Sequence, residues 1–330
     1  MPQAHIVGTG SSMPKRILSN EDLESMVDTS DEWITRRSGI KERRISSNLE
    51  RESTCDLSTR ASSMALEMAG MEPKDLDMIV VGTVTADRQF PSAACMIQMS
   101  LDANNAMAFD ISAGCSGFLY ALTVVNNAIR CGTCRNALVV GVDRLSSVVN
   151  WQDRGTCVLL ADGAGAVAVS SKPEKGGVLS THLRSDGRLW ELLYSEEGNT
   201  FKPDILHDID QKSFYLKMDG KGLFKQAIGC MSEISRDALK QNGLTVNDLD
   251  LVVPHQANIR IINALANTLS IPVEKVYVNI HKYGNTSSAT IPIALDEANR
   301  EGRLKKGDNV LMVTFGAGLT WGACIVEWTA

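Results

Sequence analysis

Hydrophobic and polar positions follow two recurring patterns along the chain. Apolar residues recur at helical spacing in four segments, namely 58–71, 119–129, 224–241 and 291–299. Four shorter segments are continuously apolar, namely 78–81, 137–142, 251–253 and 310–314. The first pattern predicts amphipathic helices, and the second is typical of strands that are buried on both faces. Because helices and strands alternate, the chain is predicted to be an α/β protein with mostly parallel sheets.

The same pattern occurs twice, with an offset of 173 positions, as from 75 to 248. Three pairs of segments match at this offset: 75–81 with 248–253, 136–140 with 309–313, and 121–122 with 294–295. The offset also superimposes Cys115 on Ser288. Matches that share one constant offset indicate that a single unit was duplicated and fused.

The connection between the two copies is predicted in segment 172–177, whose sequence is Lys-Pro-Glu-Lys-Gly-Gly. Proline and glycine are typical of such connectors. This boundary divides the chain into an N-terminal half, 1–174, which carries Cys115, and a C-terminal half, 175–330. Segment 183–214 has weak periodicity and several charges, so we predict an excursion that covers the core.

Composition indicates an ordinary soluble globular protein, with 44% hydrophobic and 22% charged residues. The net charge of −6 and the lack of basic tracts argue against nucleic acid as a partner. No apolar run reaches the roughly 18–20 residues of a membrane span, and the N-terminus does not look like a signal peptide. We therefore expect a cytoplasmic protein without membrane contact. Its eight cysteines are expected to be reduced thiols.

Candidate chemistry lies in three small or polar clusters. Cys115 is flanked by small residues just before the helix predicted at 119–129, where unpaired N–H groups and the helix dipole favour a thiolate. His255 directly follows a predicted strand, and Asn285 lies in the polar cluster 283–288. Ligands gather at the carboxyl ends of parallel strands, so a twofold arrangement of the halves would bring the three residues into one cleft. They suggest a covalent nucleophile with two hydrogen-bonding partners.

Several separate motifs resemble one enzyme family. They are 29–34 (Thr-Ser-Asp-Glu-Trp-Ile), 90–95 (Phe-Pro-Ser-Ala-Ala-Cys), the loop around Cys115, 153–156 (Asp-Arg-Gly-Thr) and 315–322 (Phe-Gly-Ala-Gly-Leu-Thr-Trp-Gly). Together they resemble the thiolase-fold condensing enzymes, and most closely the β-ketoacyl-acyl-carrier-protein synthase III family. The resemblance implies two pseudo-symmetric α/β halves in αβαβα layers. Thiolases use a second cysteine and elongating synthases two histidines, whereas Asn285 favours the initiating class. The local signature of papain-like cysteine proteases is absent.

The resemblance implies a reaction in two stages. An acyl group, most plausibly acetyl, passes from acyl-CoA to Cys115 and then condenses with malonyl-acyl carrier protein, with loss of CO2. His255 and Asn285 would donate to the malonyl thioester carbonyl. The backbone N–H groups of Cys115 and Ala317 would form the oxyanion hole. Many relatives have glycine where Ala317 stands, and alanine keeps the N–H without strain only if φ is negative. No metal or organic cofactor is expected, since the residues themselves supply each donor.

The resemblance also assigns binding residues. Trp33 and Arg154 match residues that sandwich the CoA adenine, and Arg37 matches a residue that contacts the CoA phosphates. The pantetheine tunnel or its mouth is matched by Thr29, Phe224 and Asn258.

Two further assignments concern partners. Phe90 matches a residue that reaches across a homodimer to close the partner's acyl pocket. A basic patch for the acidic carrier is expected from Lys221, Lys225 and Arg260. Some relatives have lysines where this chain has Asn267 and Thr268, which thins that patch.

Three alternatives remain open. One is a related condensing enzyme of secondary metabolism with another acyl donor or acceptor. A thioesterase-like hydrolase and a non-catalytic subunit are the others, and CO2 release from a malonyl thioester separates both from a condensing enzyme.

Outside the motifs, glycine runs 163–165 and 316–318 are predicted to be tight turns between strands. Arg36, Arg43 and Arg44 are predicted to be solvated surface residues.

Overall fold

The computed structural model describes residues 2–48, 50–195 and 214–330. The helices of this part are α1 (Asn20–Glu24), α2 (Asp31–Ser38), α3 (Thr54–Ala69), α4 (Ala93–Leu101), α5 (Gly117–Arg130), α6 (Gly220–Gln241), α7 (Ile259–Leu269), α8 (Ile280–Tyr283) and α9 (Thr290–Arg300). The strands are β1 (Gln3–Ser12), β2 (Ile17–Ser19), β3 (Glu42–Arg44), β4 (Met78–Gly82), β5 (Met107–Ile111), β6 (Asn136–Arg144), β7 (Asp162–Lys172), β8 (Gly177–Ser185), β9 (Leu193–Ser195), β10 (Leu216–Met218), β11 (Leu251–Pro254), β12 (Asn309–Gly316) and β13 (Thr320–Glu327). Most of the excursion predicted at 183–214 lies outside the described residues.

Each helix and strand predicted from periodicity is present. Most of them extend beyond the predicted residues, because residues at their ends continue the element without continuing the periodic pattern. The helix predicted from 58 begins four positions earlier as α3, because Ser53 and Asp56 form a capping box. It ends at Gly70, which takes the left-handed conformation. Capping polar residues carry no hydrophobic periodicity, so the periodic pattern starts later than the helix.

The prediction of mostly parallel sheets is wrong, because both large sheets are mixed. The first has the order β1-β7-β6-β4-β5 and the second β11-β12-β13-β8. Only β4 with β5, β4 with β6, and β11 with β12 are parallel pairs in these sheets. The antiparallel pairs involve β1, β7, β8 and β13, which the periodic pattern did not reveal. A short turn joins β12 to β13, and such a turn permits only antiparallel pairing.

Five layers are stacked on one another. Helices α5 and α9 lie between the two sheets, where Leu122 and Leu295 share a core with Val139 and Val310. Helices α3 and α4 cover the outer face of the first sheet. Helices α6 and α7 cover the outer face of the second. This is the αβαβα arrangement that the resemblance implied.

The duplication extends to individual hydrogen bonds. In the first copy Asp77 accepts from the backbone N–H of Asn136, at 3.0 Å. In the second copy Asp250 accepts from Asn309, at 2.8 Å. Matching 3₁₀ turns precede the two central helices, at Gly114–Ser116 and at Ser287–Ala289. In chain order, the last strand of the first sheet is β7, which ends at residue 172, and the next strand is β8 of the second sheet, which begins at 177. The boundary predicted between the two halves falls in this interval.

Two local predictions need correction. Gly163 and Gly165 lie inside β7 rather than in a turn. Glycine is needed at 165 because a side chain there would meet the backbone of α9. Segment 316–318 does form a turn, between β12 and β13. Arg43 is completely buried, not solvated, and its guanidinium donates to Leu18 O, Asn20 Oδ1 and Val158 O. Burial lowers its pKa to about 10.

Candidate active site

The position of Cys115 is set by glycines around the start of α5. The chain leaves β5 at residue 111 and passes through the 3₁₀ turn Gly114–Ser116 into α5. Gly114 has a φ of +53°, a conformation that favours glycine. A side chain at Gly82 would lie 2.3 Å from the carbonyl carbon of Gly117, so β4 and α5 touch through their backbones. This contact puts Cys115 at the carboxyl ends of the strands, with the N-terminus of α5 directly behind it.

The Cys115 thiol is partly accessible, and its surroundings oppose ionisation. Burial raises its pKa to about 11, and the nearby Asp143 carboxylate also raises it. The Ser287 hydroxyl lowers the pKa by donating to Cys115 Sγ at 3.4 Å. The net effect of these surroundings therefore opposes the thiolate that the sequence pattern favours. The helix dipole favours the thiolate, but desolvation of the charged form is the larger effect.

Asn285 is held by backbone and side-chain contacts. Its N–H donates to Leu159 O and its carbonyl accepts from Ala161 N, both at 2.9 Å. Its Oδ1 accepts from the N–H of Ser287 at 2.9 Å. Since the oxygen is occupied, the Nδ2 group is the part of the amide that can donate to a ligand.

His255 follows β11, and its N–H donates to Val313 O at 2.8 Å. Its ring Nδ1 lies 2.6 Å from the Thr290 hydroxyl oxygen, which is also 3.1 Å from Ser287 O. Burial lowers the pKa of the ring to about 3, so the imidazole is neutral at physiological pH. The Thr290 hydroxyl has a single proton. When it donates to Nδ1 over the shorter contact, Nε2 carries the ring proton; when it donates to Ser287 O, Nδ1 carries it.

The turn that carries Ala317 packs against Cys115. A side chain at Gly316 would lie 2.6 Å from the Cys115 nitrogen, and one at Gly114 would lie 2.8 Å from Ala317 N. Thr320 fastens the turn by donating to Ala113 O at 2.8 Å. The non-glycine residues with positive φ in the described chain are Asp102, Ser270 and Ser287. Ala317 is not among them, so alanine keeps its N–H here without backbone strain.

Two adjoining cavities divide the predicted site residues. A cavity of about 230 Å³ is lined by Cys115, Asn285 and Ala317, with apolar side chains around them. A second cavity, of about 400 Å³, contains four predicted CoA residues and two predicted carrier residues, namely Trp33, Arg37, Phe224, Asn258, Lys221 and Arg260. Met218 lines both cavities, so the second one leads towards the nucleophile.

Other predicted residues lie at the edges of these cavities or away from them. The Arg154 guanidinium lies 5.2 Å from the centre of the Trp33 ring. An adenine between them needs about 3.5 Å on each face, so the pair must separate by about 2 Å to admit it. Thr29 does not line the second cavity, and Lys225 is exposed on α6. Phe90 is 80% exposed and lies outside the Cys115 cavity.

Sequence reasoning missed three residues that act on the predicted triad. Ser287 and Thr290 contact Cys115 and His255, and the buried Asp143 carboxylate raises the pKa of the thiol. Asp143 stands at the end of the apolar run 137–142, so the rule about carboxyl ends of strands could have found it. Ser287 belongs to a cluster that had been noticed, but its hydroxyl carries no signal in sequence alone.

Comparison with known proteins covers nearly the whole chain. The family described as 3-oxoacyl-[acyl-carrier-protein] synthase III matches residues 109–187, and its C-terminal region matches 239–328. The β-ketoacyl-[acyl-carrier-protein] synthase III of Caldanaerobacter subterraneus is 49% identical, over 99% of this chain and 98% of the relative.

Solved structures show the same likeness. The 3-oxoacyl-[acyl-carrier-protein] synthase III of Aquifex aeolicus has a TM-score of 0.92 at 48% identity and covers 98% of this chain and 100% of its own. The priming β-ketosynthase of the R1128 polyketide pathway has a TM-score of 0.92 at 35% identity, over 99% and 96% of the two chains. With this identity over almost its full length, the chain belongs to the 3-oxoacyl-[acyl-carrier-protein] synthase III family.

Proposed function

We propose that this protein is a condensing acyltransferase that starts fatty acid synthesis. It would transfer an acyl group, most simply acetyl, from acyl-CoA to Cys115 and condense it with malonyl-acyl carrier protein. The products are 3-oxoacyl-acyl carrier protein, CoA and CO2. The observation that carries the proposal is the cavity shared by Cys115, Asn285 and Ala317, with His255 attached to the same turn through Thr290.

In the first stage the Cys115 thiolate attacks the thioester carbonyl carbon of acyl-CoA. The developing oxyanion accepts from the N–H groups of Cys115 and Ala317, whose backbones pack together. Collapse of the tetrahedral intermediate breaks the carbon–sulfur bond to CoA. The CoA thiolate leaves and takes up a proton, equivalent to the one that Cys115 lost.

In the second stage the malonyl thioester carbonyl accepts from His255 Nε2 and Asn285 Nδ2. The bond to the carboxylate breaks, CO2 leaves, and the two donors stabilise the enolate that remains. The enolate carbon attacks the acyl-Cys115 carbonyl, and collapse returns the thiolate. A neutral His255 suits this role, because it donates without changing charge over the physiological pH range. Protein groups supply each donor, so we propose that no metal or organic cofactor takes part.

Binding of CoA and of the carrier is proposed for the second cavity. Trp33 and Arg37 offer an aromatic face and a guanidinium beside it, at 4.9 Å from the ring centre, which suits adenine and phosphate. At the same mouth Lys221 and Arg260 are exposed, and Lys225 lies one helical turn along α6. These cations would attract an acidic carrier.

We propose a homodimer because one edge of the first sheet is open and has exposed apolar side chains. Among the described residues, strand β5 is an edge strand that pairs with β4 alone. Phe90, Met99 and Met107 are exposed nearby in sequence, by 80%, 65% and 49%. An open strand edge with exposed apolar side chains is a surface that a second copy would cover.

The second candidate is a priming enzyme of polyketide synthesis. It is favoured by the likeness to the R1128 enzyme, at 35% identity. The higher identity of 48–49% to synthases III favours the first candidate. The two share Cys115 chemistry and differ in the acyl donor or acceptor.

The proposal is tested by measuring the two stages separately. After incubation with a panel of acyl-CoAs, intact-protein mass spectrometry should show a gain of one acyl group, which Cys115→Ala abolishes. Asn285→Ala should still form this adduct but decarboxylate malonyl-acyl carrier protein about 10²–10³-fold more slowly, since one enolate donor is lost. No adduct with any donor, or equal loss of both stages in Asn285→Ala, would contradict the assignment. Acyl release without CO2 would indicate a hydrolase.

A further inference from the structure

Ser287 has an unusual backbone for a residue that is not glycine. It opens the 3₁₀ turn Ser287–Ala289 before α9 with a φ of +53°. This left-handed conformation is strained for any residue with a side chain, and glycine adopts it without cost. A serine at this position therefore needs a compensating use for its side chain.

Each polar group of Ser287 is directed at a different member of the predicted triad. Its hydroxyl donates to Cys115 Sγ at 3.4 Å, and its N–H donates to Asn285 Oδ1 at 2.9 Å. Its carbonyl is 3.1 Å from the Thr290 hydroxyl, which is 2.6 Å from His255 Nδ1. One residue thus contacts the proposed nucleophile and the proposed enolate donor Asn285 directly, and His255 lies beyond Thr290.

The charges around the thiol determine where the Ser287 proton can go. Asp143, at the end of β6, is the carboxylate that acts on Cys115, and His255 is neutral. Ser287 also lies within reach of Asp143. That carboxylate already has four other donors, namely Thr83 Oγ1, Val84 N, Thr85 Oγ1 and Ser288 N. The Ser287 hydroxyl therefore lies between two acceptors, the Asp143 carboxylate and the Cys115 sulfur, and it contacts the sulfur at 3.4 Å.

We propose that Ser287 is a positioning residue of the reaction, whose hydroxyl stabilises the Cys115 thiolate while its backbone N–H holds Asn285. The inference rests on the proposed function, because it assigns Cys115 as the nucleophile. The hydroxyl and the backbone N–H make separable contributions. A side-chain substitution removes the first and leaves the second in place.

The test is the rate at which iodoacetamide alkylates Cys115 at pH 8, measured by mass spectrometry on the peptide that contains it. Ser287→Ala and Ser287→Gly should both slow alkylation by about ten- to a hundredfold, the effect of one hydrogen bond to a charged group. Ser288→Ala is the matched control, since the neighbouring Ser288 hydroxyl is buried without a partner. It should alkylate like the unaltered protein.

The glycine variant separates the hydroxyl from the backbone. Glycine relieves the left-handed strain, so it should fold even if Ser287→Ala does not. Decarboxylation of malonyl-CoA should fall less than alkylation in the folded variants, because the backbone N–H that holds Asn285 remains.

Two results would overturn the proposal. One is wild-type alkylation in Ser287→Gly, which would mean that the hydroxyl does not act on the thiol. The other is an equal fall in alkylation and decarboxylation, which would indicate a purely structural role. Alkylation needs no acyl donor, so its outcome does not depend on whether acyl-CoA is the true substrate.

Discussion

At the scale of single residues, His255 shows how burial sets chemistry. A free histidine would be partly charged at mildly acidic pH, but desolvation lowers the pKa of His255 to about 3. Only 4% of the residue is exposed, and its Nδ1 contacts a hydroxyl rather than a carboxylate. The ring is thereby kept as a neutral donor, which is what stabilisation of an enolate requires.

The same burial predicts that acid destabilises the fold through His255. Between pH 6.5 and about 3 the unfolded chain binds a proton on this histidine and the folded chain does not, so stability falls as pH falls. From pH 7.5 to 5.0 this amounts to about 2 kcal/mol. Urea unfolding at both pH values should show a smaller loss in His255→Gln than in wild type.

A half-buried histidine provides the control for this measurement. Burial also lowers the pKa of His281, but that side chain keeps part of its exposure. His281→Gln should therefore remove a smaller part of the pH dependence than His255→Gln. Equal pH dependence in wild type and His255→Gln would show that the ring titrates normally.

At the scale of elements, backbone contacts between strands and central helices position the nucleophile. Gly82 at the end of β4 touches Gly117 at the start of α5, and Gly141 in β6 touches the backbone of Ser288. These glycines are needed for close approach rather than for turns. The elements on either side carry Cys115 and Ser287, so the spacing of the backbones sets the spacing of the reactive groups.

Gly82→Ala should destabilise the protein and slow acylation. Its new methyl group would lie 2.3 Å from the carbonyl carbon of Gly117, so β4 and α5 must move apart. Overpacking of this kind costs about 1–3 kcal/mol. Urea unfolding and acyl-enzyme formation measure the two effects.

Gly229→Ala is the matched control, because Gly229 lies within α6 with no atom within 4 Å of the added methyl. It should stabilise the protein by about 0.5–1 kcal/mol, since alanine is the better helix former. Wild-type stability and acylation in Gly82→Ala would mean that the contact is looser than described.

At the scale of the whole molecule, the proposed homodimer would cover the edge of the first sheet at β5 and the exposed Phe90. The described helices of this chain include none long and apolar enough to cross a bilayer. If Phe90 closes the partner's pocket, acyl-chain preference is a property of the dimer.

Phe90→Ala should extend the acyl-CoA panel towards longer chains, because the bounding ring is lost. The decisive measurement uses mixed dimers of Phe90→Ala chains and Cys115→Ala chains. In such a dimer the only nucleophile lies opposite an intact Phe90, so the original preference should return. Mixed dimers that behave like Phe90→Ala dimers would show that Phe90 does not act across an interface. Measuring the molar mass of each sample checks that the dimers have assembled.

Local patterns in the sequence predicted much of this architecture. Helices and strands with strong periodicity, the repeat at 173 positions and the position of Cys115 before a helix were all readable, because each depends on neighbours along the chain. Strands β1, β7, β8 and β13 were missed, and with them the antiparallel pairs. The glycines of β7 were read as a turn, because their real partner is α9, which begins more than a hundred residues away.

The sequence by itself determined the α/β class, the duplication and the residue types of the candidate site, since periodicity and motif spacing are local properties. Only the tertiary structure decided the electrostatics. Desolvation and the neighbouring Asp143 raise the pKa of Cys115, and burial keeps His255 neutral. It also decided that Ser287, 172 positions after Cys115, donates to its sulfur. Desolvation and hydrogen bonding depend on which distant segments pack together, and no local pattern encodes that.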